Sequence, residues 1–323
     1  MTRSGYSRPI VRDILLVSLA CLVAIPLYGR IEPDSARFAK WDLHLYRRMA
    51  DAAPGLALDV RPPFVYRILG PYVSGILPME RDSAFLLVTL SAALLVPLML
   101  YLLLCRAGVR SRNAALAAVL LVFNKWLFGF AVWDYFQTGD LLSLLSIMLL
   151  LWAAYTSRWP AFGLILALGV LTRETVILAP LVVLVYLLES GRWQTERRAF
   201  LISLVPATLI VLTLVLAANA HGASPLYYAG AAWTYWHSVL DPQAWVRLLV
   251  SAFAPVSLLP LLRPGRTWEI LNKSRHLLLL YALAVGLVAF VGMQRWKWGI
   301  VPVVLGAGAV GLLYRVILGG PQP

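Results

Sequence analysis

Long apolar runs recur along the whole 323-residue chain, at 14–29, 84–105, 113–131, 140–155, 159–172, 175–189, 199–219, 246–262, 276–292 and 299–316. A bilayer hydrocarbon core of about 30 Å is crossed by about 20 apolar residues in helical form. With no water in that core, each crossing segment must satisfy its own backbone hydrogen bonds, and a helix does so within one segment. The runs therefore predict an all-α, polytopic transmembrane bundle of about ten helices. The composition agrees: 61% hydrophobic and 13% charged, with mean hydropathy +0.78, which excludes a water-soluble fold.

Two details set the count. Arg3, Arg8 and Arg12 precede the first run as in a signal peptide, but no A-x-A pattern closes it, and Ser18-Leu19-Ala20-Cys21 is a poor lipobox. An uncleaved first helix is expected. The fifth and sixth runs are separated only by Thr172-Arg173-Glu174. One helix over 159–189 would exceed a bilayer crossing and put charge at its centre, so a tight helical hairpin is predicted. No internal repeat or flexible linker divides the sequence, which reads as one domain, 1–323.

The formal net charge of +13 does not form a stripe on one element, so nucleic-acid binding is not expected. Topology accounts for much of it. The segments carrying Arg106/Arg110/Arg112, Arg158, Arg192/Arg197/Arg198 and Arg263/Arg266/Lys273/Arg275 alternate with loops poorer in basic residues, which places the basic set and both termini in the cytoplasm. The opposite side receives the long loop 30–83, the segments near 132–139 and 220–245, and the turns at 172–174 and 293–298. In a bacterium this is a multi-pass inner-membrane protein whose chemistry lies outside the cytoplasm.

Within the 30–83 loop, residues 35–51 read as an amphipathic helix with Trp41, Leu45 and Met49 on one side and Arg47, Arg48 and Asp51 on another. After the break at Arg61-Pro62-Pro63, residues 64–77 form a second apolar, aromatic-rich stretch; both suit the membrane surface. Asp42 and Tyr46 are spaced i,i+4, one helical face. A carboxylate there can take a proton from a substrate hydroxyl. A plain interfacial helix, with Asp42 solvated or capping, accounts for the same spacing.

An Asp shortly before a Tyr in the first loop, followed by Pro63-Phe64-Val65-Tyr66-Arg67-Ile68-Leu69-Gly70-Pro71, resembles bacterial members of the GT-C superfamily of membrane glycosyltransferases. Asp140 opening an apolar helix, Arg158-Trp159 at its far end, and the run from Gly163 through Leu171-Thr172-Arg173-Glu174-Thr175 to Pro180 are similar to the same group. The resemblance covers roughly residues 30–190. It implies transfer of a sugar from a polyprenyl-phosphate donor to a glycan, lipid or protein acceptor on the extracytoplasmic face. It also implies an acidic base in the first loop, the role Asp42 inherits with Asp34 in reserve. The sequence departs from the group in having no adjacent Asp-Glu or Asp-x-Asp pair in that loop and no soluble C-terminal domain.

Lys125, Asp134, Asp140, Arg173 and Glu174 fall near the extracytoplasmic ends of helices, where charge is costly without a partner, and could meet across one cavity. A departing phosphate needs fixed positive charge, and the planar guanidinium fork suits it. Arg173 and Arg67 are the leading phosphate binders, with Tyr46, Asp140 and Glu174 around them. Capping of the hairpin, or pairing of Arg173 and Glu174 with Asp140, explains the same residues. Trp236 and His237 lie in an aromatic segment that could stack on sugar or form an interfacial belt. Arg295 and Lys297 oppose the positive-inside trend and read as phosphate contacts or snorkelling side chains.

No paired-Cys, H-E-x-x-H, EF-hand or Walker pattern is present, so no metal site or ATP use is read from the sequence. No cofactor is predicted beyond the lipid-linked sugar itself, with a divalent cation left open. The same charges could line the pathway of a transporter or lipid flippase, though no symmetric halves are evident. A non-catalytic scaffold of the same fold is the third reading.

Overall fold

The computed structural model describes residues 7–32, 34 and 42–222. All belong to the unit Met1–Pro225; the remainder of the chain forms the unit Leu226–Pro323. The predicted spans 246–262, 276–292 and 299–316 therefore lie outside the described residues, as do Trp236, His237, Arg295 and Lys297.

Every regular element among the described residues is helical. Four helices are long and apolar enough to cross a membrane: α1 (Ser7–Tyr28), α4 (Arg81–Arg106), α7 (Thr138–Tyr155) and α10 (Trp193–Ala220). The chain is a membrane protein. Between them stand α2 (Leu43–Asp51), α3 (Leu69–Ile76), α5 (Ser111–Val122), the short α6 (Phe130–Trp133), α8 (Trp159–Val170) and α9 (Ala179–Glu189). Leu15, Leu19, Leu22 and Leu27 on α1, and Ile202, Leu209 and Leu216 on α10, are exposed. In a bilayer such side chains meet lipid tails as apolar as themselves.

The bundle has two ends. At one, Ser111 at the start of α5 donates to the buried Asp13 carboxylate of α1, and Tyr101 of α4 reaches Ser111 at 3.3 Å. The turns 107–110, 156–158 and 190–192 share this end, hereafter the turn end. Gly108 and Gly191 take φ +86° and +69° there, the left-handed conformation that closes a helix and favours glycine. At the opposite, loop end lie α2, α3 and the starts of α4 and α7. Thr89 of α4 donates to the Tyr135 carbonyl at 2.7 Å, and Phe85 and Phe136 pack at 5.1 Å.

Two predicted helices are broken. The run 113–131 divides into α5 and α6, bent by 52°. Asn124 Oδ1 accepts from the Leu127 N–H at 3.0 Å, drawing that donor from the helical ladder. A wide turn over Lys125–Gly129 follows, and the Tyr28 ring occupies the space a side chain at Gly129 would need. The sixth run starts later than predicted: Glu174–Leu178 is a tight 3-10 turn, and α9 begins only at Ala179. The chain nevertheless reverses there, because Tyr186 of α9 packs edge-on to Tyr155 of α7 at 4.8 Å and Arg192 reaches the Ala154 carbonyl at 3.5 Å. With 12 and 11 residues, α8 and α9 rise only about 18 and 16 Å.

Small residues allow close helix contact. A Cβ on Gly163 of α8 would stand 2.8 Å from the Ser203 carbonyl oxygen of α10. Gly163→Val is expected to lower stability by about 1–3 kcal/mol, seen as a lower unfolding temperature in detergent. The same residue at the adjacent exposed Leu164 should leave it within error.

Candidate functional site

The loop end is organised by what residues 42–77 bury. Leu43, Leu45, Tyr46 and Met49 of α2 form one apolar cluster with Phe64, Phe85 and Phe136, seating the loop on the starts of α4 and α7. Of the predicted 35–51 helix, α2 covers Leu43–Asp51, and residues 35–41, Trp41 included, lie outside the described residues. Within the apolar stretch 64–77, a 3-10 turn at Phe64–Tyr66 precedes α3.

Ion pairs pin the loop at its rim. Arg47 donates to Asp82 at 3.0 and 2.6 Å and to Asp34 at 2.9 Å. The bonds to Asp82 push its pKa up, against the opposing effect of burial. Arg81 holds Asp51 at 3.1 Å and the Gly75 carbonyl at 2.7 Å. Arg48 pairs with Asp59.

Inside this rim lies the cluster of interest. Arg67, 4% exposed, follows the 3-10 turn and forks onto Glu174, Nε to Oε2 at 3.1 Å and Nη2 to Oε1 at 2.6 Å. The Leu69 N–H donates to the Leu171 carbonyl at 3.0 Å, a second clasp between the same segments. Arg173, 2% exposed, pairs with Asp140 at the start of α7. Two glycines bring these segments so near. A Cβ on Gly139 would lie 2.7 Å from the Thr172 oxygen, and one on Gly70 would collide with the Thr138 hydroxyl.

Tyr46 is the hub. Its buried hydroxyl is hydrogen-bonded by Arg67 and feels the charges of Arg173 and Asp42. Burial raises its pKa, with both arginines opposing, so the phenol is a neutral hydrogen-bonding group. Phe64 packs edge-on to it at 5.5 Å and also lies under the Arg67 guanidinium, 5.7 Å away. Burial would raise the Glu174 pKa, but the adjacent Arg67 outweighs it and the net shift is downward. Asp42 sits immediately before α2 with 37% of its side chain exposed, paired with the exposed Arg61 at 2.9 Å.

The structure thus brings Asp42, Tyr46, Arg67, Asp140, Arg173 and Glu174 to one place. Asp34 belongs to the separate Arg47 pair and is 84% exposed. Asp134, buried, accepts from Gln137 at 2.9 Å. Both expected phosphate-binding arginines already hold a carboxylate, so the two cations and two anions balance. The roles of Arg61, Arg47 and the two glycines escaped the sequence reading; Arg61, next to the Pro-Pro break, carried the clearest unused signal. Among the described residues, no group of three or more His, Cys, Asp or Glu side chains is placed to hold a metal ion.

Gly139→Ala separates two effects. Helix propensity alone favours alanine by up to about 1 kcal/mol, whereas the Thr172 contact predicts a net loss of about 1–3 kcal/mol. A fall in unfolding temperature establishes the close contact of α7 with the 172–174 turn. Comparison with family models, with curated proteins and with solved structures finds no match.

Proposed function

We propose that this chain is a membrane glycosyltransferase that moves a sugar from a polyprenyl-phosphate donor to the hydroxyl of a glycan, lipid or protein acceptor. The observation that carries the reading is the meeting of two buried arginines from distant segments, Arg67 and Arg173, around Tyr46 and beside the half-exposed Asp42. Asp42 draws the proton from the acceptor hydroxyl, and the freed oxygen attacks the anomeric carbon as the bond to phosphate breaks. Charge then grows on the phosphate oxygens. Each guanidinium has five N–H donors, and Glu174 takes two of those on Arg67. In this reading the donor phosphate joins the charges already gathered on Arg67 and Arg173. The resemblance to GT-C enzymes over residues 30–190 points the same way.

The basic turn end faces the cytoplasm in this reading. The reaction then takes place on the extracytoplasmic side of the inner membrane, with both termini cytoplasmic. The balanced charge of the cluster favours a second reading, in which the Arg67–Glu174 and Arg173–Asp140 pairs only fasten the loop and the chain is a non-catalytic scaffold. Incubation of the detergent-purified protein with a labelled polyprenyl-phosphate sugar separates these. Covalent transfer of label to an acceptor is expected. Retention of all label on the donor, across a panel of sugars and acceptors, favours the scaffold. Movement of unreacted donor across a vesicle bilayer marks a flippase.

A further inference from the structure

The two ends of the bundle handle charge in opposite ways. Of the loop-end arginines among the described residues, Arg47, Arg48, Arg61, Arg67, Arg81 and Arg173 are each matched to a carboxylate, and the exposed Arg30 alone is in no salt bridge. At the turn end, eight arginines from Arg12 onward stand against three carboxylates, Asp13, Glu189 and Glu196, among the described residues. These carboxylates are engaged within the fold. Asp13 is buried under Ser111 and its neighbour Arg12. Glu196 accepts from Arg192 at 2.7 Å and from the Trp159 indole at 2.9 Å.

The excess is exposed and lies at helix ends. Arg106, Arg110 and Arg112 flank the α4–α5 turn, and Arg158, Arg197 and Arg198 flank the α7–α8 and α9–α10 turns; all six are exposed. These turns cap membrane-crossing helices whose sides expose leucine, so the arginines stand where headgroups begin. No lysine occurs at this end among the described residues. A guanidinium fork binds two phosphate oxygens at once, where an ammonium offers only a point charge.

We infer that the turn end is a binding surface for anionic phospholipid headgroups, held by the Arg106/Arg110/Arg112 and Arg158/Arg197/Arg198 groups. The occupant is lipid because the charge excess follows the ends of the crossing helices, where tails and headgroup are met together. A basic residue near an anionic membrane surface contributes about 1 kcal/mol, enough for a several-fold preference even when shared among mobile headgroups. This inference does not rest on sugar transfer.

The test uses the full chain in a neutral detergent, where topology cannot influence the result. Phosphatidylglycerol and phosphatidylcholine are added in equal amounts, and retained lipids are counted by native mass spectrometry. Wild type is expected to retain phosphatidylglycerol at least about fivefold over phosphatidylcholine. Each triple Arg→Gln variant should lose roughly half of that excess or more, while Arg48→Gln at the loop end should lose none. Triple Arg→Lys variants, which keep charge and check folding, should retain part of it. Equal retention of the two lipids by wild type overturns the inference, as does unchanged preference in both Gln variants. Displacement of the lipid by millimolar glycerol phosphate as readily as by the lipid itself marks a free-phosphate site and overturns it too.

Discussion

Asp42→Asn is expected to reduce sugar transfer by roughly a hundred- to ten-thousand-fold, the range spanned by loss of a positioned general base, while leaving the fold intact. The separation is possible because Asp42 contributes little to stability. Its ion-pair partner, Arg61, keeps 64% of its side chain exposed, and such a pair is worth about 0–1 kcal/mol. Asp42 makes no side-chain capping bond at the start of α2, and asparagine is equally at home in that position. Unfolding temperature should therefore stay within a degree or two of wild type, as about 1 kcal/mol moves a large domain little. Arg61→Gln provides the comparison: it removes the same ion pair but keeps the base, and transfer should persist. Full activity in Asp42→Asn would remove this residue from the mechanism.

The second large effect concerns Arg67 and Glu174. Glu174→Gln leaves a 4% exposed guanidinium without its countercharge, and breaking a buried pair from one side costs about 3–5 kcal/mol. The lower part of that range is expected, because Glu174 keeps 27% of its side chain open to solvent. Arg67→Met should cost as much. The double replacement by methionine should recover much of the loss, since a buried pair is often matched by apolar residues of similar size. The four unfolding temperatures form a cycle whose coupling measures the pair directly.

The same pair has a pH signature. Glu174 has a lowered folded-state pKa, so it adds stability above its unfolded value of about 4.3 and loses it as pH falls through the lower folded value. Wild type should lose more stability than the double methionine variant between pH 5 and the acid limit of the assay. Equal slopes would contradict the ion pair.

The long elements were legible because a continuous apolar run in a charge-poor chain has one physical outcome. Thus α1, α4, α7 and α10 stand where the runs at 14–29, 84–105, 140–155 and 199–219 placed them, with polar first turns added. The break between α5 and α6 was not legible. Asn124 inside an apolar run is compatible with a helix until its side chain is seen to take the Leu127 N–H. At the site, the sequence singled out the right charges but left their partners open. Arg173 with Asp140 was one of the pairings foreseen, because both lie at ends of neighbouring helices. Arg67 with Glu174 joins positions 107 residues apart, and no local spacing encodes that. Nothing in a single sequence marks Gly139 and Gly70 as close-contact positions; their value lies in the Thr172 and Thr138 atoms they allow close.

In the proposed reaction, donor phosphate is received between Arg67 and Arg173 with its sugar toward Asp42. A cryo-EM structure of the chain with a non-transferable phosphonate analogue of a polyprenyl-phosphate sugar tests it most directly. The phosphonate is expected within hydrogen-bond reach of both guanidinium groups, with the sugar beside Asp42 and the lipid leaving between helices at the loop end. A well-resolved analogue bound elsewhere, with the Arg67–Glu174 and Arg173–Asp140 pairs untouched by ligand, would contradict it.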